Sequence, residues 1–228
     1  MTSTKVIIGI NAYHADSSAC IIVNGKLIAA IEEERINRKK HYSGFPLNSI
    51  KECLKIAKIN EIDITDVAFN TRPLSNLLAK GIYYIKNVVF RKNYTNERFL
   101  KKKGLNKIFK EYFKLNKNIK FHFIEHHLSH LASAFYPSNF KKANGISIDG
   151  SGDFVTMAYA ECSNNKIIIK KKNYFPNSLG IFYHAMTQFL GYNNYGDEYK
   201  IMGMAAYGKP LYFDKIKDNL FKERSKNF

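Results

Sequence analysis

The sequence predicts an α/β protein built from two related lobes, the second of them incomplete. Three observations lead there. Short apolar runs of strand length alternate with segments of helical periodicity, the pattern of a layered α/β architecture. Residues 5–35 read as strand, polar turn and hairpin, and residues 145–175 repeat that order as GISIDGSGDFVTMAYAE, a connection and KIIIKKKNYF; an internal echo on this scale points to related units. After the second copy come one helix and a Gly-rich turn, with no closing strands before the terminal FKERSKNF. A fragment of a longer protein is therefore expected, divided into a first lobe at 1–143 and the start of a second at 144–228.

Taken in order, KVIIGINAY (5–13) is an apolar run ending in small and polar residues, a buried strand. SACIIVNGKLIAAIEEER (18–35) reads as two strands around Asn24-Gly25, a pair that tolerates the positive φ of a tight hairpin turn. In FPLNSIKECLKIAKI (45–59), Ile50, Cys53, Leu54 and Ala57 share one helical face, and Pro46 or Asn48 starts the helix. ITDVAFNT (64–71) is a strand reached after a helix and so parallel to the first. Residues 73–118 are helical, aromatic and basic, an insertion centred on about 75–118. A strand at 119–124 leads into a helix from 126 to about Phe135, which Pro137 ends. KANGISIDGSGDFVTMAYAE (142–161) gives strand, Gly-rich turn and strand, and 166–175 a further strand. Helices follow at 178–191, stopped by Gly191, and within 197–210.

Composition narrows the class. With 228 residues, 45% hydrophobic and 14% aromatic, the chain buries a real core. No run approaches the roughly 18 apolar residues of a membrane span, and MTSTKVIIGINAY lacks a cleavage site and reads as a first strand. Cys20, Cys53 and Cys162 are widely spaced, without a CxxC pair, and suit reduced thiols in a cytoplasmic protein. The formal net charge of +17 is uneven: residues 80–120 hold thirteen Lys or Arg against two Glu. Such a surface attracts phosphates or nucleic acid. The Lys- and Asn-rich character of the whole chain is the plainer explanation, so neither nucleic acid nor membrane is the expected partner.

Three stretches carry chemistry. NAYHADSSA (11–19) places His14 and Asp16 at the end of the first strand, where open α/β sheets bind ligands; a turn explains Asp and Ser well and His14 less well. EHHLSH (125–130) sets His126 and His130 four apart on a helix, the spacing of two helical metal ligands, while His127 points about 100° away. A solvated helix start is the bland alternative. SIDGSGDF (147–154) ends a strand in Asp149, a candidate metal ligand, and turns through Gly150, Ser151 and Gly152, whose N–H groups can face a phosphate. It is equally an ordinary hairpin turn.

INAYHADSSACIIVNGKLIAAIEEERINRKKHYSGFP, HHLSHLASAFYPS, IDGSGD and GDEYKIMGMAAYGKP, in this order, closely resemble the N-terminal part of the O-carbamoyltransferases that modify nodulation factors, cephamycins and aminoglycosides. The likeness covers nearly the whole chain apart from about 75–118. It implies a domain similar to the threonylcarbamoyladenosine synthesis protein Kae, of the actin/sugar-kinase/chaperone-ATPase fold with two RNase H-like lobes. It also implies a C-terminal YrdC-like domain, in cis or as a separate chain, that makes carbamoyl-adenylate from ATP and carbamoyl phosphate. The carbamoyl group then passes to a hydroxyl of a small-molecule or glycan acceptor.

The resemblance further implies a divalent metal, Fe2+ in first place and Zn2+ as the alternative, held by His126, His130 and Asp149. His14, in its turn with Asp16, takes the general-base position. Lys39 and Lys200 could pair with phosphates or be ordinary surface lysines. No Walker A sequence and no YrdC-like region is present, so the chain alone is expected not to carbamoylate from ATP and carbamoyl phosphate. Two other classes compete. A sugar or acyl kinase of the same fold uses aspartate and magnesium without a helical HxxxH. A non-catalytic nucleic-acid or lipid binder would depend on Lys101, Lys102 and Lys103.

Overall fold

A computed structural model of the chain describes residues 4–86 and 97–220. It forms two compact units, residues 1–182 and 183–228. The first contains two mixed layers of sheet and helix. β1 (Val6–Asn11), β2 (Ser18–Val23) and β3 (Lys26–Glu32) make an antiparallel meander. Asn24 and Gly25 turn β2 into β3 with φ of 50° and 81°, the left-handed pair that the Asn-Gly reading requires. After α1 (Glu33–Asn37) and α2 (Leu47–Ala57), β4 (Asp66–Phe69) joins β1 in parallel, and β5 (Lys120–Phe123) joins β4 in parallel. The sheet order is β3-β2-β1-β4-β5.

The second hairpin strand ends at Glu32 rather than continuing to 35, because Glu33 has other work. Its buried carboxylate accepts from the backbone N–H groups of Asn48 and Ser49 and from their side chains, at 2.7–3.3 Å. α2 begins after Pro46 with no capping side chain of its own, so a glutamate from another helix satisfies the orphan donors at its N-terminus. The i, i+3, i+4 face places Ile50, Cys53 and Leu54 against the sheet.

Between β4 and β5 lie α3 (Leu77–Lys86), α4 (Glu97–Lys103) and α5 (Leu105–Tyr112). Part of the anticipated insertion, residues 87–96, lies outside the described residues. The remainder is not peripheral: Leu105 and Phe109 are fully buried in the core under the first sheet. α6 (His126–Phe135) then packs on a second, three-stranded antiparallel sheet in the order β6-β7-β8, formed by β6 (Lys142–Gly152), β7 (Val155–Ser163) and β8 (Lys166–Tyr174). The anticipated lobe boundary at 143/144 falls at the start of β6. The turn placed by sequence at Gly150-Ser151-Gly152 is displaced. A register shift after Ile148 keeps these residues in β6, and the chain reverses at Asp153 and Phe154, with φ of 51° and 76°.

The first unit ends within α7 (Leu179–Phe189), whose N-terminus is capped by Ser178: the Ile181 N–H donates to Ser178 Oγ at 3.0 Å. In the second unit, α8 (Glu198–Ala205) is tied back to α7, with the Tyr183 hydroxyl donating to the Glu198 carbonyl at 3.1 Å and His184 paired to the Glu198 carboxylate at 2.6 Å. A further helix, α9 (Phe213–Leu220), was not anticipated from the sequence. No helix among the described residues is long and apolar enough to cross a membrane.

Candidate functional site

The chain leaves β5 at Phe123, its ladder extended by an Ile124 N–H that donates to the Phe69 carbonyl at 2.8 Å. Glu125 is the N-cap and His126 the first residue of α6. Helical geometry then puts His126 and His130 on one face. Opposite them stands Asp149 of β6. Asp149 Oδ2 lies 2.8 Å from His126 Nε2 and 3.6 Å from His130 Nε2, and the two Nε2 atoms are 2.9 Å apart. Hydrogen bonds from His126 and His130 hold the Asp149 carboxyl far below the ordinary carboxylate range. Two N–H groups cannot face each other across 2.9 Å, so at least one imidazole lone pair points into the cluster.

This donor set fits a metal. Ligand atoms about 2.1 Å from a tetrahedral ion stand roughly 3.4 Å from one another, a value the three separations of 2.8, 2.9 and 3.6 Å bracket. Two imidazoles and one carboxylate suit iron(II) or zinc. His127, the third of the clustered histidines, does something different. It is fully buried between Ser147, whose hydroxyl donates to Nδ1 at 2.9 Å, and the Val155 carbonyl, which accepts from Nε2–H at 2.9 Å. Burial holds its pKa below the ordinary histidine value, so the ring stays neutral and pins α6 to β6 and β7.

Of the other expected residues, His14 joins the cluster: its ring lies 5.3 Å from that of His126, centroid to centroid. Its Nδ1 lies 3.4 Å from the Ala15 carbonyl oxygen. Asp16 turns elsewhere, to His41 Nδ1 at 3.0 Å, and Glu34 accepts the His41 backbone N–H at 3.0 Å. Lys39 is exposed, its backbone N–H on Asn37 Oδ1. Lys200 belongs to the second unit and pairs with Asp197 at 2.6 Å. The Gly150 N–H donates to Asp149 Oδ1 at 2.6 Å, and Ser151 is exposed. Gly152 has a steric function: a methyl there would fall on the His126 imidazole ring. A groove of about 930 Å3 runs past His126 and His130, bordered by Asn11, Asn70, Ser129 and Ser133.

Sequence reasoning missed Asp153. Its carboxylate accepts from the Thr71 hydroxyl (2.7 Å), the Arg72 N–H (2.7 Å) and the His126 N–H (3.0 Å). It thereby ties the exit of β4 to the first turn of the ligand helix. Beside it, Lys172 bridges Glu125 at 2.8 Å and Asn76 at 3.3 Å, and Asn76 donates to the Asp153 carbonyl at 3.0 Å. The available signal was the second aspartate of IDGSGD, which read as a turn residue.

A centre of two helical histidines and a strand-end aspartate, on a mixed α/β frame, meets a family match that runs nearly end to end. The chain belongs to the carbamoyltransferase N-terminus family, which matches residues 6–228. It is 35% identical over 224 residues to the uncharacterized protein sll1178 of Synechocystis sp., covering 94% of this chain and 36% of that protein. It is 34% identical over 203 residues to the nodulation protein NolNO of Sinorhizobium fredii, covering 88% and 29%. The chain thus spans about a third of the length of these relatives. Among solved structures, YeaZ from Pseudomonas aeruginosa aligns over 75% of this chain and 67% of its own, at 10% identity and a TM-score of 0.37, too slight a likeness to carry an argument.

Proposed function

We propose that this chain contributes the transfer site of an O-carbamoyltransferase, passing a carbamoyl group from carbamoyl-adenylate to a hydroxyl of a sugar-containing small molecule or glycan. What carries the reading is the convergence of His126, His130 and Asp149 beside His14, in a chain of this family. The acceptor oxygen bonds to the carbamoyl carbon, the bond from that carbon to the adenylate oxygen breaks, and AMP leaves. His14 takes the hydroxyl proton as general base. His126, His130 and Asp149 would hold a divalent ion, Fe2+ before Zn2+, which polarises oxygen and offsets phosphate charge when bound. Asn11, Asn70, Ser129 and Ser133, with the charged Glu32 and Arg35, stand among the groove's apolar lining and offer hydrogen bonds to an acceptor's hydroxyls.

The two sheets are read as lobes of the actin/sugar-kinase/chaperone-ATPase fold. A YrdC-like domain, in cis or separate, would supply carbamoyl-adenylate from ATP and carbamoyl phosphate in the cytoplasm. Elemental analysis of purified protein beside a His126→Ala/His130→Ala variant tests the centre. Near-stoichiometric iron or zinc in the parent, lost in the variant, is the expected result; a parent without metal after reconstitution overturns it.

A further inference from the structure

α3 is mounted the reverse of an ordinary surface helix, which turns its apolar stripe toward the core. Its inner side is held by polar and aromatic contacts. The Lys80 ammonium donates to the Pro73 carbonyl at 2.8 Å, and Tyr83 meets Phe154 and Phe175 edge-on, with ring centroids 5.6 and 5.2 Å apart. Just before the helix, Asn76 donates to the Asp153 carbonyl at 3.0 Å. Leu78, Ile82 and Ile85 stand on the other side. At about 3.6 residues per turn these three fall within about 60° of arc, with Lys80 and Tyr83 roughly opposite. All three are exposed, Leu78 at 80% and Ile85 at 76%, and Leu74, Leu77 and Tyr84 beside them are exposed as well. A side chain added at Gly81, on the same side, would meet nothing within 4 Å. The anchoring contacts thus fix an apolar stripe outward.

The charge around the stripe selects its occupant. Residues 72–103, which contain α3, hold nine Lys or Arg and one Glu, and Lys101 and Lys103 of α4 are exposed. A second copy of this chain laid stripe to stripe would bring two such segments together, and like charges oppose that. Nucleic acid would answer the charge but offers nothing to three outward aliphatic side chains. An anionic bilayer surface answers both: the acyl boundary takes the aliphatic side chains, and lipid phosphates take the lysines and arginines.

We propose that α3 is a membrane-surface helix. Its Leu78, Ile82 and Ile85 stripe enters the interface of a bilayer rich in anionic lipid, and the basic residues around it lie among the headgroups. Composition alone did not favour a membrane; the outward apolar stripe does. The inference is independent of carbamoyl transfer and of the metal centre.

The parent has no tryptophan, so Leu78→Trp makes a single reporter at an exposed position. The chain is mixed with vesicles of equimolar phosphatidylcholine and phosphatidylglycerol, and with vesicles of phosphatidylcholine alone. On the anionic vesicles the tryptophan emission is expected to move to shorter wavelength and to be quenched by brominated acyl chains. A Leu78→Ser/Ile82→Ser/Ile85→Ser chain with the parent's melting midpoint loses at least about tenfold in partitioning, measured by vesicle sedimentation. Added salt weakens the parent's binding. Absence of binding overturns the proposal, as does binding that the serine variant retains in full, which is attraction by charge alone. Equal binding to phosphatidylcholine overturns the choice of an anionic surface. A dimer that the serine variant abolishes, without vesicle binding, assigns the stripe to self-association instead.

Discussion

The two sheets begin with the same meander but are held by different forces. Among the described residues, sixteen buried apolar side chains form one core beneath the first, with Ile8, Ile21, Ile50, Phe69 and Phe109 each 1% exposed or less. Against the second, six do so, and three of those are Ala158, Ala160 and Cys162. The second sheet relies more on polar ties at its junction with α6: His127 between Ser147 and Val155, Lys172 on Glu125, and Asp153 on His126. Apolar burial is insensitive to direction, whereas hydrogen bonds fix angles. The candidate metal ligands lie on the side where direction is specified.

The contrast is sharpest for Phe109. It is fully buried and packs against Phe113 with the rings tilted by 30° and their centroids 4.7 Å apart. Phe109→Ala is expected to cost about 3–5 kcal/mol in urea unfolding. A loss under about 1 kcal/mol would break the comparison, because the first core would then not depend on its largest side chains.

Asp153→Ala should act differently. A methyl group accepts nothing, so the bonds from Thr71, Arg72 and His126 are all lost and stability falls by about 1–3 kcal/mol. If α6 is aimed by this contact, zinc affinity measured by chelator competition falls about 10–100-fold. Thr71→Val removes one bond that does not touch α6, and should leave zinc affinity unchanged. Unaltered zinc binding in Asp153→Ala would show that His126 is aimed by other contacts.

Much of this was legible in the sequence because it is local. Asn24-Gly25 specifies its own turn, Ile50, Cys53 and Leu54 their own helix face, and His126 and His130 their common direction. What stayed hidden depends on distant partners. Glu33 reads as the tail of a strand, yet it is a buried acceptor for α2 fifteen residues away. Asp153 reads as part of a glycine turn, and only the register shift in β6 brings its carboxylate to Thr71, Arg72 and His126. The approach of His14 to His126 crosses more than a hundred residues. That His127 leaves the face of His126 and His130 was legible from helical spacing, but its partners Ser147 and Val155 were not.

The smallest expected effect lies in the first sheet, at a carboxylate on β4 paired with charged partners. Asp66 is 6% exposed; its carboxylate accepts from the Thr65 hydroxyl at 2.8 Å and pairs with His122 Nε2 at 2.6 Å and Lys5 at 3.9 Å. Burial pushes the Asp66 carboxyl up, but the hydrogen bonds from His122 and Thr65 and the Lys5 charge outweigh it, leaving the pKa below the ordinary value. A carboxyl depressed in the folded state binds its proton more readily when unfolded. Its contribution is therefore complete above the unfolded value, about 3.9, and is lost as the pH falls through the lower folded value. Asp66→Asn should flatten that acid limb of the stability curve while leaving its shape above about pH 5 nearly parallel to the parent's. An acid limb as steep as the parent's would place the carboxylates that matter in acid elsewhere than at Asp66 and its partners.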